Sequence, residues 1–290
     1  MRYTFGVVLP SAVSTYKEVA DVAIECEHLG YDSVWLNDHM YEGWLPPEKH
    51  AHPYLDCWTL LPALAVSTKS IRLGTLVTSN TFRHPAMLAK MSCTVDTISG
   101  GRFDMGIGAG DLPIEHQTYG FSYPPDKERI SRLEEALQIM LLMWSQERPQ
   151  FRGRFYEIRQ PPCLPKPVQR PHPPIWIGSI SGKHRIVKIA AQFADNFNVL
   201  GGTPEAFKAK MTTLDTCCRE LGRNPLEVRK SWHGSVNIDE ERVSVNATAK
   251  SIGVMADAGV EDFVLAFENR TDIKALQVFS REVLPSFRSS

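Results

Sequence analysis

The residues with the clearest chemical potential are Asn37-Asp38-His39, which follow directly on the apolar run Ser33-Val34-Trp35-Leu36. An imidazole titrates near neutrality and an adjacent carboxylate can orient it, so the triplet suits general acid or base work. It also reads as a plain polar cap on a strand, and the residues alone leave both readings open. A second segment, Gly106-Ile107-Gly108-Ala109-Gly110-Asp111, places small residues and one carboxylate after another strand-like run. Its spacing differs from the G-x-G-x-x-G fingerprint, and no helix is expected before about Lys127. Close approach of a flat ring therefore suits it better than a phosphate, with Asp111 projecting into the mouth.

A third segment, Gly74-Thr75-Leu76-Val77-Thr78-Ser79-Asn80, brings small and hydroxyl groups to a strand end ahead of Phe82-Arg83-His84-Pro85. Either a planar ligand rests on this backbone or the chain simply turns into a helix. In the fourth, Gly178-Ser179-Ile180-Ser181-Gly182-Lys183, a small-residue turn leads from strand to helix, with Arg185 just beyond. Free N–H groups at a helix start, helped by Lys183 and Arg185, suit a phosphate; a serine cap is the alternative. His50-Ala51-His52 has the spacing by which two imidazoles take zinc, but no third ligand is evident, so no metal is assigned.

Such groups need a frame. Short apolar runs recur at Thr4–Leu9, Ser33–Leu36, Arg72–Val77, Arg102–Gly108, Ile175–Gly178, Asn196–Leu200, Val228–Val236 and Asp262–Phe267. Bounded by Gly, Pro or Asp, they read as strands buried on both faces. Helical patterns lie between them. Thr15 and Glu18 form a capping box, Gly30 stands at the far end of that helix, and Pro85 opens another that Gly100-Gly101 closes. Ile130, Leu133, Leu137, Met140 and Trp144 make one apolar helical stripe. Alternation of this kind predicts a closed parallel (β/α)8 barrel of TIM type, one α/β domain over residues 1–290. Inserts at about 37–55 and 151–174 are expected to shape the site; the second opens with a hairpin over Phe151–Ile158.

Composition excludes other classes. Lys plus Arg number 32 against 33 for Asp plus Glu, a balance that disfavours nucleic acid as a partner. No stretch is long and apolar enough to span a membrane. The six cysteines form no C-x-x-C pair and read as small buried hydrophobes of a reducing compartment, so a cytoplasmic protein is expected.

Several segments, in order along the chain, are similar to motifs of the bacterial luciferase-like superfamily: Gly30–His39, Arg72–Val77 with Phe82–Ala86, Ile98–Phe103 with Gly106–Gly110, Pro173–Gly178 and Ala194–Asn198. The likeness covers residues 1–200 and is looser beyond. Within the superfamily the chain most resembles the branch that uses coenzyme F-420, an 8-hydroxy-5-deazaflavin. The resemblance implies a barrel that binds this ring in its mouth, with a non-prolyl cis peptide at Leu76-Val77 behind it. It also implies that His39 lies near ring or substrate, and that Ser179 to Lys183 hold the phosphate of the cofactor tail. Asp111 stands where the family often has Trp or Glu. A homodimer is the implied assembly.

The expected activity is hydride transfer between the deazaflavin carbon-5 and a small, partly apolar substrate lying between the inserts near Trp44, Phe82 and Tyr119. His39 is the expected acid or base, Asp38 orients it or binds substrate, and Asp111 is a second acid. Thr75, Leu76, Val77, Asn80, Gly108, Ala109, Gly110, Gly178, Ser179, Ser181, Gly182 and Lys183 are expected to hold the cofactor. The alternatives are an FMN-dependent monooxygenase fed by a separate flavin reductase, and a flavin-binding protein without turnover.

Overall fold

The computed structural model describes residues 3–13, 15–41, 53–180, 184–268, 271 and 273–288. The strands are β1 (Thr4–Val8), β2 (Ser33–Leu36), β3 (Arg72–Thr75), β4 (Thr78–Ser79), β5 (Phe103–Gly108), β6 (Gln150–Arg152), β7 (Glu157–Arg159), β8 (Ile175–Ser179), β9 (Asn196–Leu200), β10 (Arg229–Val236) and β11 (Asp262–Phe267). The main helices are α1 (Tyr16–His28), α2 (Cys57–Ser67), α3 (Pro85–Ser99), α4 (Pro113–Tyr119), α5 (Asp126–Ser145), α6 (His184–Phe193), α7 (Pro204–Glu220), α8 (Arg242–Asp257), α9 (Ile273–Glu282) and α10 (Pro285–Arg288).

Nine strands pair in the order β3-β2-β1-β11-β10-β9-β8-β5-β4, and a β3–β5 pairing closes the ring. β3 and β4 are two halves of one barrel strand, because Leu73 pairs with Phe103 below and Thr78 with Ile107 above. The run Arg72–Val77 is thus broken after Thr75, at the Leu76–Val77 peptide, which is cis. The result is the expected parallel eight-stranded barrel.

Alternation along each strand explains both layers of the core. Val34 and Leu36, Ile175 and Ile177, and Phe263 and Leu265 join the large cluster that includes helix residues, whereas Trp35, Trp176 and Val264 form a second cluster with Val8, Leu76 and Ala266. The two indoles pack at 4.3 Å between ring centroids. Glycine is required beside them: a Cβ on Gly74 would stand 2.3 Å from Trp35 Cζ3. Trp35 Nε1 donates to Ser33 Oγ at 2.8 Å, so the indole carries no unpaired donor into the interior.

The helix signals hold. Thr15 and Glu18 complete the capping box, Pro85 opens α3, and Gly100 closes it in the left-handed region. The apolar stripe of α5 is buried throughout.

Two expectations need correction. A helix, α4, begins at Pro113, well before Lys127; Pro at its first turn and Gly120 at its end frame a single short element after the β5 glycines. The segment 151–174 does not line the central cleft. It connects α5 to β8: Tyr156 of its hairpin reaches Asn80 and the His84 ring, and its later part enters the barrel at the N-terminal ends of the strands. There Gln169 Nε2 donates to Asp96 Oδ1 (2.7 Å) and Phe103 O (2.6 Å). Its hairpin, β6 with β7, rests on α5, where Glu135 accepts from the backbone of Arg154, Phe155 and Tyr156.

Candidate active site

The C-terminal ends of the strands surround a cleft of about 470 Å³, within the usual range for small-molecule sites. β2 delivers Asn37, Asp38 and His39 to one wall, immediately where its apolar run ends. β5 delivers Gly108 and the residues through Asp111, and β8 delivers Gly178 and Ser179.

The floor is Leu76-Val77. A Cβ on Gly108 or on Gly178 would each lie 2.8 Å from a Val77 methyl, and one on Gly106 would lie 1.8 Å from the Thr75 carbonyl. These glycines are therefore needed by the protein's own chain at the β3–β4 break. Gly108 and Gly178 line the cleft beside Val77, so the same glycines leave room for the chain's own Val77 side chain.

His39 is held from behind. Its Nδ1 lies 3.1 Å from Oε2 of Glu115, whose side chain is completely buried. The other Glu115 oxygen accepts the Met40 N–H. A carboxylate facing Nδ1 keeps a proton there, which leaves Nε2 as the nitrogen for proton exchange in the cleft. Burial alone would lower the imidazole pKa. The Glu115 hydrogen bond, with the charges of Glu115, Asp111 and Asp38, outweighs it and raises the value above 6.5.

Asp38 is buried, and its pKa is raised by loss of solvent, with Arg83 opposing that shift. Oδ2 accepts from Arg83 Nη1 at 2.6 Å and from the Ser79 amide at 3.2 Å, while Oδ1 has no partner among the described residues. Arg83 reaches on through Nη2 to Asp56 at 3.1 Å, the residue that caps α2. Asp38 is thus anchored on one side and open to a ligand donor on the other.

Of the remaining candidates, Leu76, Val77, Ala109 and Gly110 line the cleft, whereas Thr75 and Asn80 do not. Thr75 donates to the Gly106 carbonyl at 2.6 Å inside the barrel wall, and Asn80 is buried beside Tyr156. Ser181, Gly182 and Lys183 lie outside the described residues, as do Trp44, His50 and His52. Arg185 turns to Glu134 at 3.2 Å and is absent from the lining. Phe82 and Tyr119 do not line it either. They pack with Phe121, at 5.3 and 6.0 Å between centroids, in an aromatic layer beside α4.

Sequence reasoning missed several contributors. Glu115 and Arg83 act behind the cleft, while Asp126, Arg129, Asn198, His233 and Ser235 line it. His233 and Ser235 sit on β10 and Asn198 on β9, so strand-end position alone was an available signal. Glu115 offered none, because its partner lies 76 residues away. Arg129 stacks 3.9 Å over Tyr123 and is tied to Asp126 and the Pro124 carbonyl, both at 2.7 Å. Leu76, Val77, Ala109, Ile130, Ile180, Ile186, Leu200 and Ala266 supply the apolar lining. Apolar walls, a hydrophobic floor and a buried acceptor at Asp38 fit a planar heterocycle with polar edges.

Fold and cleft together define a TIM-type barrel with a concave site and a hydrogen-bonded His39–Glu115 pair at its C-terminal mouth. The chain belongs to the family described as luciferase-like monooxygenase, whose profile matches residues 3–279. It is 32% identical to an F-420-dependent glucose-6-phosphate dehydrogenase of Kineococcus radiotolerans, over 77% of this chain and 65% of that protein. It is 32% identical to one from Amycolatopsis mediterranei, over 64% of this chain and 54% of that protein. The aligned part thus spans between about half and two thirds of these curated relatives. Among solved structures, an F-420-dependent secondary alcohol dehydrogenase with an F-420–acetone adduct superimposes with a TM-score of 0.84, covering 99% of this chain and 100% of that one. At 19% identity this likeness is one of fold.

Proposed function

We propose that this protein is a coenzyme F-420-dependent oxidoreductase that moves hydride to or from a small uncharged alcohol or carbonyl compound. The carrying observation is His39, presented to an apolar-floored cleft with Nδ1 fixed on buried Glu115. The names of the curated relatives support the cofactor. Bound at the cleft, the deazaflavin supplies the hydride chemistry at its carbon-5; the chain supplies position and protons. Leu76, Val77, Ala109, Gly110, Gly178 and Ser179 would hold the cofactor, with Asp38 Oδ1 available to a ring N–H.

His39 Nε2 takes the hydroxyl proton during oxidation of an alcohol and returns it during reduction. Glu115 fixes the tautomer and strengthens the base by favouring the imidazolium. Arg83 holds Asp38 so that Asp38 and His39 keep one orientation. Asp111 adds negative potential that also favours protonated His39.

The substrate class follows from charge. Asp38, Asp111 and Asp126 line the cleft, and the single Lys or Arg among its described lining residues is Arg129, which already serves Asp126. Around His39, where the substrate meets the base, the neighbouring charges are those of Glu115, Asp111 and Asp38, which disfavours a phosphorylated or acidic group at that point. An uncharged compound pays no such penalty.

The test is titration of the purified protein with coenzyme F-420 and, separately, with FMN, followed by turnover with propan-2-ol and with glucose 6-phosphate. Binding of the deazaflavin and its reduction by the neutral alcohol are expected. Preference for FMN, with oxygen consumption, would move the protein to the monooxygenase reading. Binding of neither would remove the proposal.

A further inference from the structure

Away from the cleft, Cys93 on α3 and Cys163 in the proline-rich connection meet with their Sγ atoms 3.6 Å apart. Both are free thiols and fully buried, yet Cys163 directly precedes Leu164, which is 66% exposed. The pair therefore lies just beneath the surface. Two ammonium groups hold the segment around it. Lys90 Nζ donates to the Leu164 carbonyl, and Lys166 Nζ donates to the carbonyls of Met143 (2.7 Å) and Gln146. Nothing in the proposed reaction uses these residues.

We propose that Cys93 and Cys163 form a redox-active dithiol site that a small hydroperoxide converts to a disulfide, fastening the 151–174 segment to α3. The Cys163 thiolate attacks one oxygen of hydrogen peroxide; an S–O bond forms, the O–O bond breaks, and hydroxide leaves to become water. Cys93 Sγ then attacks the resulting sulfenic sulfur. The S–S bond forms, the S–O bond breaks, and a second water departs with the Cys93 proton. Two thiols lose two electrons in all, and one peroxide gains them.

The division of labour follows from the surroundings. The hydrogen bond between the two thiols lowers the Cys163 thiol to about 6; burial opposes this, and Lys166 and Lys90 assist it. The same bond and burial push Cys93 up. The other cysteines are unlike this pair. Burial pushes Cys26, Cys57, Cys217 and Cys218 all upward. Cys217 and Cys218 are neighbours in sequence, but successive residues on a helix diverge and cannot bridge without distortion.

The experiment treats reduced, desalted full-length protein with hydrogen peroxide. Thiols are then counted in denaturant, and a non-reducing peptide map is read by mass spectrometry. The six thiols should fall to four, and one cross-linked pair of peptides carrying Cys93 and Cys163 should appear, reversed by dithiothreitol. A Cys93→Ser variant should instead accumulate sulfenic acid at Cys163, trapped by dimedone. Retention of all six thiols in the parent protein, or first oxidation at any other cysteine, would overturn the proposal. So would Cys163 passing to sulfinic acid without the cross-link. The parent map decides the matter even where the variant fails to fold.

Discussion

At the N-terminal end of the barrel, carboxylates and arginines meet in closed sets. Arg72 donates to Asp104 through Nε (2.8 Å) and Nη2 (2.6 Å), and Arg229 grips Asp262 with the same two distances. Asn196 and Thr4 add bonds to Asp262. At the C-terminal end the same residue types are left incomplete. Among the described residues, Asp38 meets a single arginine nitrogen and keeps an oxygen without partner, and His39 engages one ring nitrogen of two. Buried charges with saturated partners lock strands together; buried charges left short of a partner store binding capacity for a ligand. The contrast separates frame from site without reference to any other protein.

The largest test of that contrast is His39→Ala. Loss of a general acid–base group should reduce turnover per folded molecule by about 10²- to 10⁴-fold, and the denaturation midpoint should also fall, because buried Glu115 loses one partner while keeping the Met40 N–H. A collapse of stability with intact turnover would place His39 with the frame. The converse variant is Arg72→Met. It strands Asp104, whose side chain is only 4% exposed, and should cost about 3 kcal/mol in urea unfolding with turnover per folded molecule unchanged.

Glu115→Gln sharpens the boundary, since Glu115 is buried like a frame residue but serves the site. Loss of a hydrogen bond to a charged partner should cost about 2 kcal/mol. The His39 limb of the pH–rate profile should move to lower pH, because the group that raises it is gone. In the parent, folded His39 binds its proton more tightly than the unfolded chain does. This contribution is therefore full below pH 6.5 and fades as pH rises through the folded value, so parent and variant should converge in stability at high pH. A constant difference across that interval would separate Glu115 from His39. The smallest effect is expected from Gly108→Ala. Its new methyl would stand 2.8 Å from Val77, and cofactor affinity should fall by about tenfold as the floor is displaced, a cost of about 1.4 kcal/mol. Unchanged affinity in the same titration would show that Val77 is no support for the ligand.

Much of the frame was legible in the chain because its signals are local. Short apolar runs bounded by Gly, Pro or Asp marked the barrel strands, and Thr15 with Glu18 and Pro85 with Gly100 marked helix ends through bonds spanning a few residues. The position of Asn37-Asp38-His39 after an apolar run was enough to place those residues at the mouth. The break in Arg72–Val77 was not visible as periodicity; the resemblance implied it. The location of the 151–174 segment depended on which end of the barrel a helix-to-strand connection enters, and sequence spacing alone misassigned it.

The sequence by itself determined the alternation of strands and helices, the caps that bound them and the place of Asn37-Asp38-His39 at one strand end, since each depends on neighbours along the chain. Tertiary structure alone decided that Glu115 stands behind His39, that Arg83 ties Asp38 to Asp56, that Val77 occupies the space over Gly108 and Gly178, and that Cys93 meets Cys163. These contacts join residues separated by 27 to 76 positions or more in the chain, and closure of the barrel brings them together. Local propensity carries no record of such a distance.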